Sequence, residues 1–214
     1  MNETTEDAAL EPAAMLRLAE RQQDDIQRRM AAGVPSILAT WGTTWFLGFL
    51  AFWLVDGLAP AFALDGRVAI AVLAVLWIGA IVVSIVQSMR INRGLQGTSA
   101  NAWTGIVYGI SWMLMIVIVA GVYIGLSVNG LDQSLGELYF PVAISAGVGL
   151  LYVIGGGIWR AGLMIGMGLV IIAGALAAPF FGAPGHFLVL AISGGATFAV
   201  GALLTRRFTR QAGA

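Results

Sequence analysis

The spacing of charge constrains this chain more than any other feature. Between positions 34 and 205 only eight charged residues interrupt the apolar sequence: Asp56, Asp65, Arg67, Arg90, Arg93, Asp132, Glu137 and Arg160. None falls near the middle of a long apolar run, so each marks a boundary. Runs of 18 or more apolar residues without a central charge read as membrane-spanning helices. With 59% hydrophobic residues and a mean hydropathy of +0.89, the chain has too little polar surface to cover a water-soluble globule of this size.

Six apolar windows follow from this reading: 36–55, 68–86, 103–128, 138–158, 161–180 and 187–204. Each is long enough to cross a hydrocarbon core of about 30 Å at about 1.5 Å per residue. Unpaired backbone amides cost several kcal/mol apiece in lipid, and barrel-like alternation of polar and apolar residues is missing, so the windows must be helical. The fold class predicted is all-α: a polytopic bundle of six transmembrane helices over 34–205, preceded by a cytoplasmic segment (1–33) with an amphipathic helix and followed by a short basic tail (206–214). The tightest connection lies at Gly155, Gly156 and Gly157 ahead of Trp159 and Arg160, where the glycines are expected to relax the helix into a turn. If that turn failed, five spans would remain.

Orientation follows from arginine, the only basic residue type apart from the single histidine. Arg17, Arg21, Arg28, Arg29, Arg90, Arg93, Arg160, Arg206, Arg207 and Arg210 all fall on one side of a six-span arrangement. The other side holds Arg67 beside Asp56, Asp65, Asp132 and Glu137. The positive-inside rule then puts both termini in the cytoplasm of a cell with a bacterial inner membrane. The first residues carry Glu3, Glu6, Asp7 and Glu11 without a basic residue, the reverse of a signal peptide, so the N-terminus is expected to be retained.

Between 15 and 30, Met15, Ala19, Ile26 and Met30 share one face of a helix opposite Arg17, Arg21, Asp24 and Arg28. Gly33, Val34 and Pro35 are expected to break this helix before the first span, leaving an elbow that lies along the inner leaflet or docks on a partner; a solvated lead-in with no partner is the alternative. Small residues spaced four apart (Gly105 and Gly109, Gly121 and Gly125, Gly162 and Gly166, and Ala191, Gly195 and Ala199) predict close helix packing within the chain. Trp45, Trp77 and Trp112 read as packing residues. Hydroxyls in the spans can serve their own helix carbonyls, but the Gln87 amide cannot. With Tyr108 it predicts a polar vestibule facing the cytoplasm.

The chemistry of common enzymes is missing from the pattern. The chain has no cysteine, which excludes thiolate metal sites, disulfides and cysteine nucleophiles. No nucleophile with a base, paired carboxylates or nucleotide fingerprint is found within the spans. His186, after Pro184 and Gly185, is expected to be a solvated loop residue. The balanced net charge gives no reason to expect nucleic-acid binding. The reading is of a non-enzyme, without catalytic, cofactor or metal residues.

The sequence Trp41-Gly42-Thr43-Thr44-Trp45-Phe46-Leu47-Gly48-Phe49, with an amphipathic helix ahead of it and an all-Arg, Ala-rich and Gly-rich composition, resembles a group of uncharacterised actinobacterial membrane proteins over about residues 15–55. An elbow helix followed by six spans is also similar in layout to ABC-2 type permease subunits, although the outer connection 181–186 is too short for that family's re-entrant hairpin. The six-helix capture subunit of energy-coupling factor transporters is similar in size, without recognisable ligand loops here. These resemblances imply a membrane subunit or accessory of a transport system, with the lipid bilayer and a cytoplasmic ATPase or regulatory subunit as partners. The inner docking surface expected is Arg17, Arg21, Arg28, Arg90, Arg93, Arg206, Arg207 and Arg210. The same arginines also suit simple anchoring to anionic lipid. A structural or regulatory membrane protein without a transported solute is the rival class.

Overall fold

The computed structural model describes residues 12–92 and 99–211. They form α1 (Pro12–Asp56), α2 (Gly66–Asn92), α3 (Ser99–Val128), α4 (Gln133–Ile158), α5 (Gly162–Ala177), a 3-10 turn (Ala178–Phe181) and α6 (Gly182–Gln211). Among the described residues there is no strand, only an isolated bridge between Leu58 and Phe62 in the α1–α2 loop. Helix ends carry local signals. Asp65 precedes α2 and its Oδ1 accepts the Arg67 amide at 2.7 Å, an N-cap that satisfies one of the orphan donors of the first turn.

The expected break at Gly33, Val34 and Pro35 does not occur: α1 is one helix of 45 residues with Pro35 inside it. A proline removes one N–H and crowds the preceding turn, but helices in lipid tolerate it where neighbours re-satisfy the freed groups. Just beyond the proline the helix is tied to α2: the Ser36 hydroxyl, which donates to the Gly33 carbonyl at 2.9 Å, accepts from Gln87 Nε2. The connection after α4 also differs. Gly155 and Gly156 stay helical and buried, and the turn comes later, at Trp159, Arg160 and Ala161, with Arg160 in the left-handed region at φ 53°. The two buried glycines serve close approach instead. A Cβ on Gly156 would meet the Ile165 amide nitrogen at 2.8 Å, and one on Gly155 would meet the Tyr108 hydroxyl at 2.7 Å.

Five stretches are long and apolar enough to cross a membrane: Gly33–Asp56, Gly66–Arg90, Ala102–Val128, Gln133–Ile158 and Gly162–Arg207. The fifth is 46 residues long. It is not straight, because Gly182 takes φ 60° and Ala183 leaves helical geometry between α5 and α6. The two arms fold back on each other: Gly174 lies against Ser193 and Gly201 against Met167, an antiparallel register. The multi-pass architecture is thus all-helical, with helical hairpins as its units.

In space the helices run α2, α1, α6, then α5 and α4, then α3, with α4 also touching α6. Among the described residues α2 and α3 share no contact although they are consecutive in the chain. The densest seam joins α1 and α6. Cβ atoms on Gly42 and Gly195 would meet the Cβ atoms of Phe198 and Phe46 at 2.9 and 2.8 Å, and one on Gly194 would fall inside the Trp45 indole. Apolar burial adds little between helices already in hydrocarbon, so such close approach is what gives the seam its contact energy. An aromatic row crosses the bundle from α3 to α1: Tyr108, Trp112, Tyr152, Phe198, Trp45 and Phe49, with successive ring centroids between 5.5 and 6.2 Å apart. Edge-to-face geometry dominates the row, as ring quadrupoles prefer.

The paired glycines on α3 do not pack internally. A Cβ at Gly105, Gly109, Gly121 or Gly125 would meet nothing within 4 Å, and the same holds for Gly162 and Gly166. Among the described residues α3 touches only α4, through Tyr108, Met115 and Tyr123, and its glycines fall off that face. Spacing alone cannot distinguish a seam from an open face. Gly194→Ala is therefore expected to lower stability by about 1–3 kcal/mol, since the Trp45 ring must move. Gly109→Ala should leave stability unchanged or slightly raised. Unfolding in detergent, followed by circular dichroism, checks both; equal effects of the two substitutions would contradict the packing described.

Candidate functional site

The membrane interior has few polar groups, and most are already spoken for. On the α1–α2 seam, Gln87 Nε2 donates to Ser36 Oγ at 2.8 Å, Trp41 Nε1 to Ser84 Oγ at 3.0 Å, and the Thr44 hydroxyl to the Leu76 carbonyl at 3.3 Å. These are interhelical ties of the kind that hold helices in lipid. A groove of about 310 Å³ opens beside them, lined by Thr40, Thr43, Thr44, Val75, Leu76, Gly79, Ala80 and Val83. Its hydroxyls offer little to a solute: Thr40 and Thr43 donate to the carbonyls of Ser36 and Ala39 on their own helix.

Gln87 and Tyr108 do not come together. Gln87 faces α1, whereas the Tyr108 hydroxyl donates to the Leu151 carbonyl of α4 at 2.9 Å and its ring packs edge-on to Trp159 at 4.7 Å. With α2 and α3 out of contact, the polar vestibule expected from sequence has no walls. Each side chain donates a hydrogen bond that ties one helix to the next.

The arginines expected to form an inner docking surface lie on the polar ends of helices. Arg17, Arg21, Arg90, Arg206 and Arg207 are exposed. Arg93 and the side chains of Arg28 and Arg210 lie outside the described residues. The antiparallel register places the start of the apolar part of α1 beside the end of α2, since Ser36 meets Gln87. The end of α6 lies there too, because the neighbours of Phe198 and Gly195 on α1 are Gly42 and Phe46. One end of the bundle therefore gathers Arg90, Arg206 and Arg207, and the extension of α1 carrying Arg17 and Arg21 leaves from the same end.

At the opposite end the structure corrects the expectation for His186. Instead of lying in a solvated loop, the residue belongs to α6 and its side chain is fully buried. Nε2 lies 3.1 Å from the carbonyl oxygen of Glu137 on α4, and Nδ1 lies 3.2 Å from that of Gly182. The ring leans on Phe187, with centroids 3.9 Å apart, and Phe187 in turn stacks on Phe52 of α1 at 5.4 Å. One signal in the sequence pointed here: Pro141 inside an apolar helix leaves the carbonyl four residues earlier without a donor, and a polar side chain elsewhere has to supply it.

Among the described residues no group of three or more His, Cys, Asp or Glu side chains converges as a metal site would require. Every buried side-chain nitrogen or oxygen among them has a polar neighbour at hydrogen-bond distance. No protein-family model, curated protein or solved structure matches the chain.

Because Gln87 and Tyr108 act on separate seams, removing each should cost about 0.6 kcal/mol, the usual scale for interhelical hydrogen bonds in membranes. Gln87→Ala combined with Tyr108→Phe should be additive within about 0.5 kcal/mol. A double-mutant cycle on unfolding free energy in detergent measures the coupling, and a larger interaction energy would restore a shared site.

Proposed function

We propose that this chain is a non-enzymatic membrane subunit or accessory of a transport system that works with a cytoplasmic partner, crossing the inner membrane six times with both termini in the cytoplasm. The observation that carries the reading is the asymmetry between the two ends. Exposed Arg90, Arg206 and Arg207 share one end with the helical extension of α1 that bears Arg17 and Arg21, while Asp56, Asp65, Asp132 and Glu137 belong to the other. Residues 12–32 continue α1 through Pro35 for roughly 30 Å beyond the apolar part. A helix that does not fold back at Pro35 carries its arginines away from the bundle end, which suits a partner better than a place flat on the leaflet.

Six crossings are supported by the antiparallel packing of α5 on α6, which divides the 46-residue stretch into two arms. The rival class, a structural or regulatory membrane protein with no solute, draws on a different observation. The seams are closed by their own hydrogen bonds, and the groove beside α1 is lined by hydroxyls that are already engaged.

The absence of cysteine makes single-cysteine labelling a clean test of topology. Gly130→Cys and Phe180→Cys are expected to react with an impermeant maleimide in intact cells, and Arg160→Cys and Arg207→Cys only after permeabilisation. Labelling of Phe180→Cys from the inside would remove the sixth crossing. For function, deletion of residues 11–32 should release a co-purifying nucleotide-hydrolysing subunit while leaving membrane insertion intact. Retention of that subunit would remove the docking role of the extension, and a stoichiometric partner without nucleotide hydrolysis would favour the rival class.

A further inference from the structure

We propose that His186 is a proton-binding site that joins α4 to the start of α6. The argument begins with Pro141, which lies inside α4 and has no N–H to give. In regular helix geometry the carbonyl of residue 137 takes its hydrogen bond from residue 141. The Glu137 carbonyl is thereby left without its intrahelical donor, and His186 Nε2 stands 3.1 Å from it. Of the two carbonyls that face the ring, the one that has lost its helical donor has the stronger claim on the proton, which assigns the Nε2–H tautomer to the neutral ring.

The second nitrogen is then the informative one. A neutral imidazole carrying its proton on Nε2 presents only a lone pair at Nδ1. Yet Nδ1 faces the Gly182 carbonyl at 3.2 Å, and a carbonyl oxygen can only accept. The neutral ring satisfies one of its two neighbours; the imidazolium satisfies both, with no rearrangement. A proton arriving at Nδ1 completes a bridge from Glu137 on α4, through the ring, to Gly182, the residue in left-handed geometry where the connection from α5 enters α6.

Burial is the largest single influence on this ring and opposes a charge on it. Three features of the site work for it. Two carbonyl dipoles point at the ring, the Glu137 carboxylate lies on the residue whose carbonyl is bonded, and the Phe187 ring stacks 3.9 Å away with a face suited to a cation. The neighbouring elements add no competing cation. The 3-10 turn and α5 contain no titratable side chain, α1 meets the Phe187 side of the joint with Phe49 and Phe52, and its nearest terminal charge is Asp56. On α4 the charged residues are Asp132 and Glu137, the latter exposed and within 3.2 Å of the Gln133 amide. The charges on α4 and at the end of α1 beside the joint are thus negative; among the described residues the one arginine at this end, Arg67, lies on α2, which packs on α1 and not on α4 or α6. The inference is independent of any transport role.

His186 is the sole histidine, so protein labelled with 15N-histidine gives one pair of ring signals. In lipid nanodiscs these signals are expected to show a proton on Nε2 alone at about pH 8 and protons on both nitrogens by about pH 5, with the helical circular dichroism unchanged. A ring still neutral at about pH 5 in the folded protein would overturn the proposal, as would a neutral form protonated at Nδ1. Pro141→Ala gives the Glu137 carbonyl a second donor to share, which weakens its bond to Nε2 and should shift the Nε2 signal. An unmoved signal in a folded Pro141→Ala variant would break the assignment of Glu137 as partner, and the proposal with it.

Discussion

The structure depends on a constraint that lipid imposes and water does not. A leucine gains almost nothing by leaving hydrocarbon tails for another helix, so helices associate only where backbones approach closely or where a donor finds an acceptor. In this chain both conditions meet on the α1–α6 seam. Gly194 leaves room for the Trp45 indole, and Trp45 Nε1 donates to the Leu190 carbonyl at 2.9 Å. The same side chain carries the aromatic row into Phe198 and Phe49. α2 hangs on the outside of this pair, and the α4–α5 hairpin completes the other side.

Interhelical donors in this bundle repeatedly choose backbone carbonyls. Trp45 reaches Leu190, Tyr108 reaches Leu151 and Thr44 reaches Leu76, while His186 reaches the Glu137 carbonyl that Pro141 leaves without a helical donor. A carbonyl has two lone pairs, so it can hold its helical bond and accept a second donor. Side chains can therefore tie helices together without a matching polar residue on the neighbour. This explains how a sequence with so few polar residues in its spans still makes specific seams. It also explains why polar residues here are poor guides to solute binding, since their hydrogen bonds are consumed by the fold.

Much of the architecture was legible because hydropathy and length are local properties. Asp56, Asp65, Asp132 and Arg160 mark helix ends in the sequence and in the structure alike, whereas Glu137, read as a boundary, lies one turn inside α4. What escaped is non-local. Pro35 read as a breaker, whereas the helix runs through it and is tied to α2 just beyond, where Gln87 donates to Ser36. The glycines at 155 and 156 read as a turn, whereas they make room for Tyr108 and Ile165. His186 read as a loop residue because nothing near it in sequence shows the unpaired carbonyl on α4 that it meets. Gln87 and Tyr108 lie on separate seams for the same reason: α2 and α3, adjacent in the chain, share no contact among the described residues.

By itself the sequence determined that the chain forms long apolar helices with charge confined to their ends, because each residue's transfer from water to hydrocarbon is decided residue by residue. Only the tertiary structure decided which helices touch, which glycines are filled by a neighbour and which face open space, and where a lone imidazole finds its two carbonyls. Those outcomes depend on distances between segments far apart in the chain, and periodicity along one helix carries no information about the helix that packs against it.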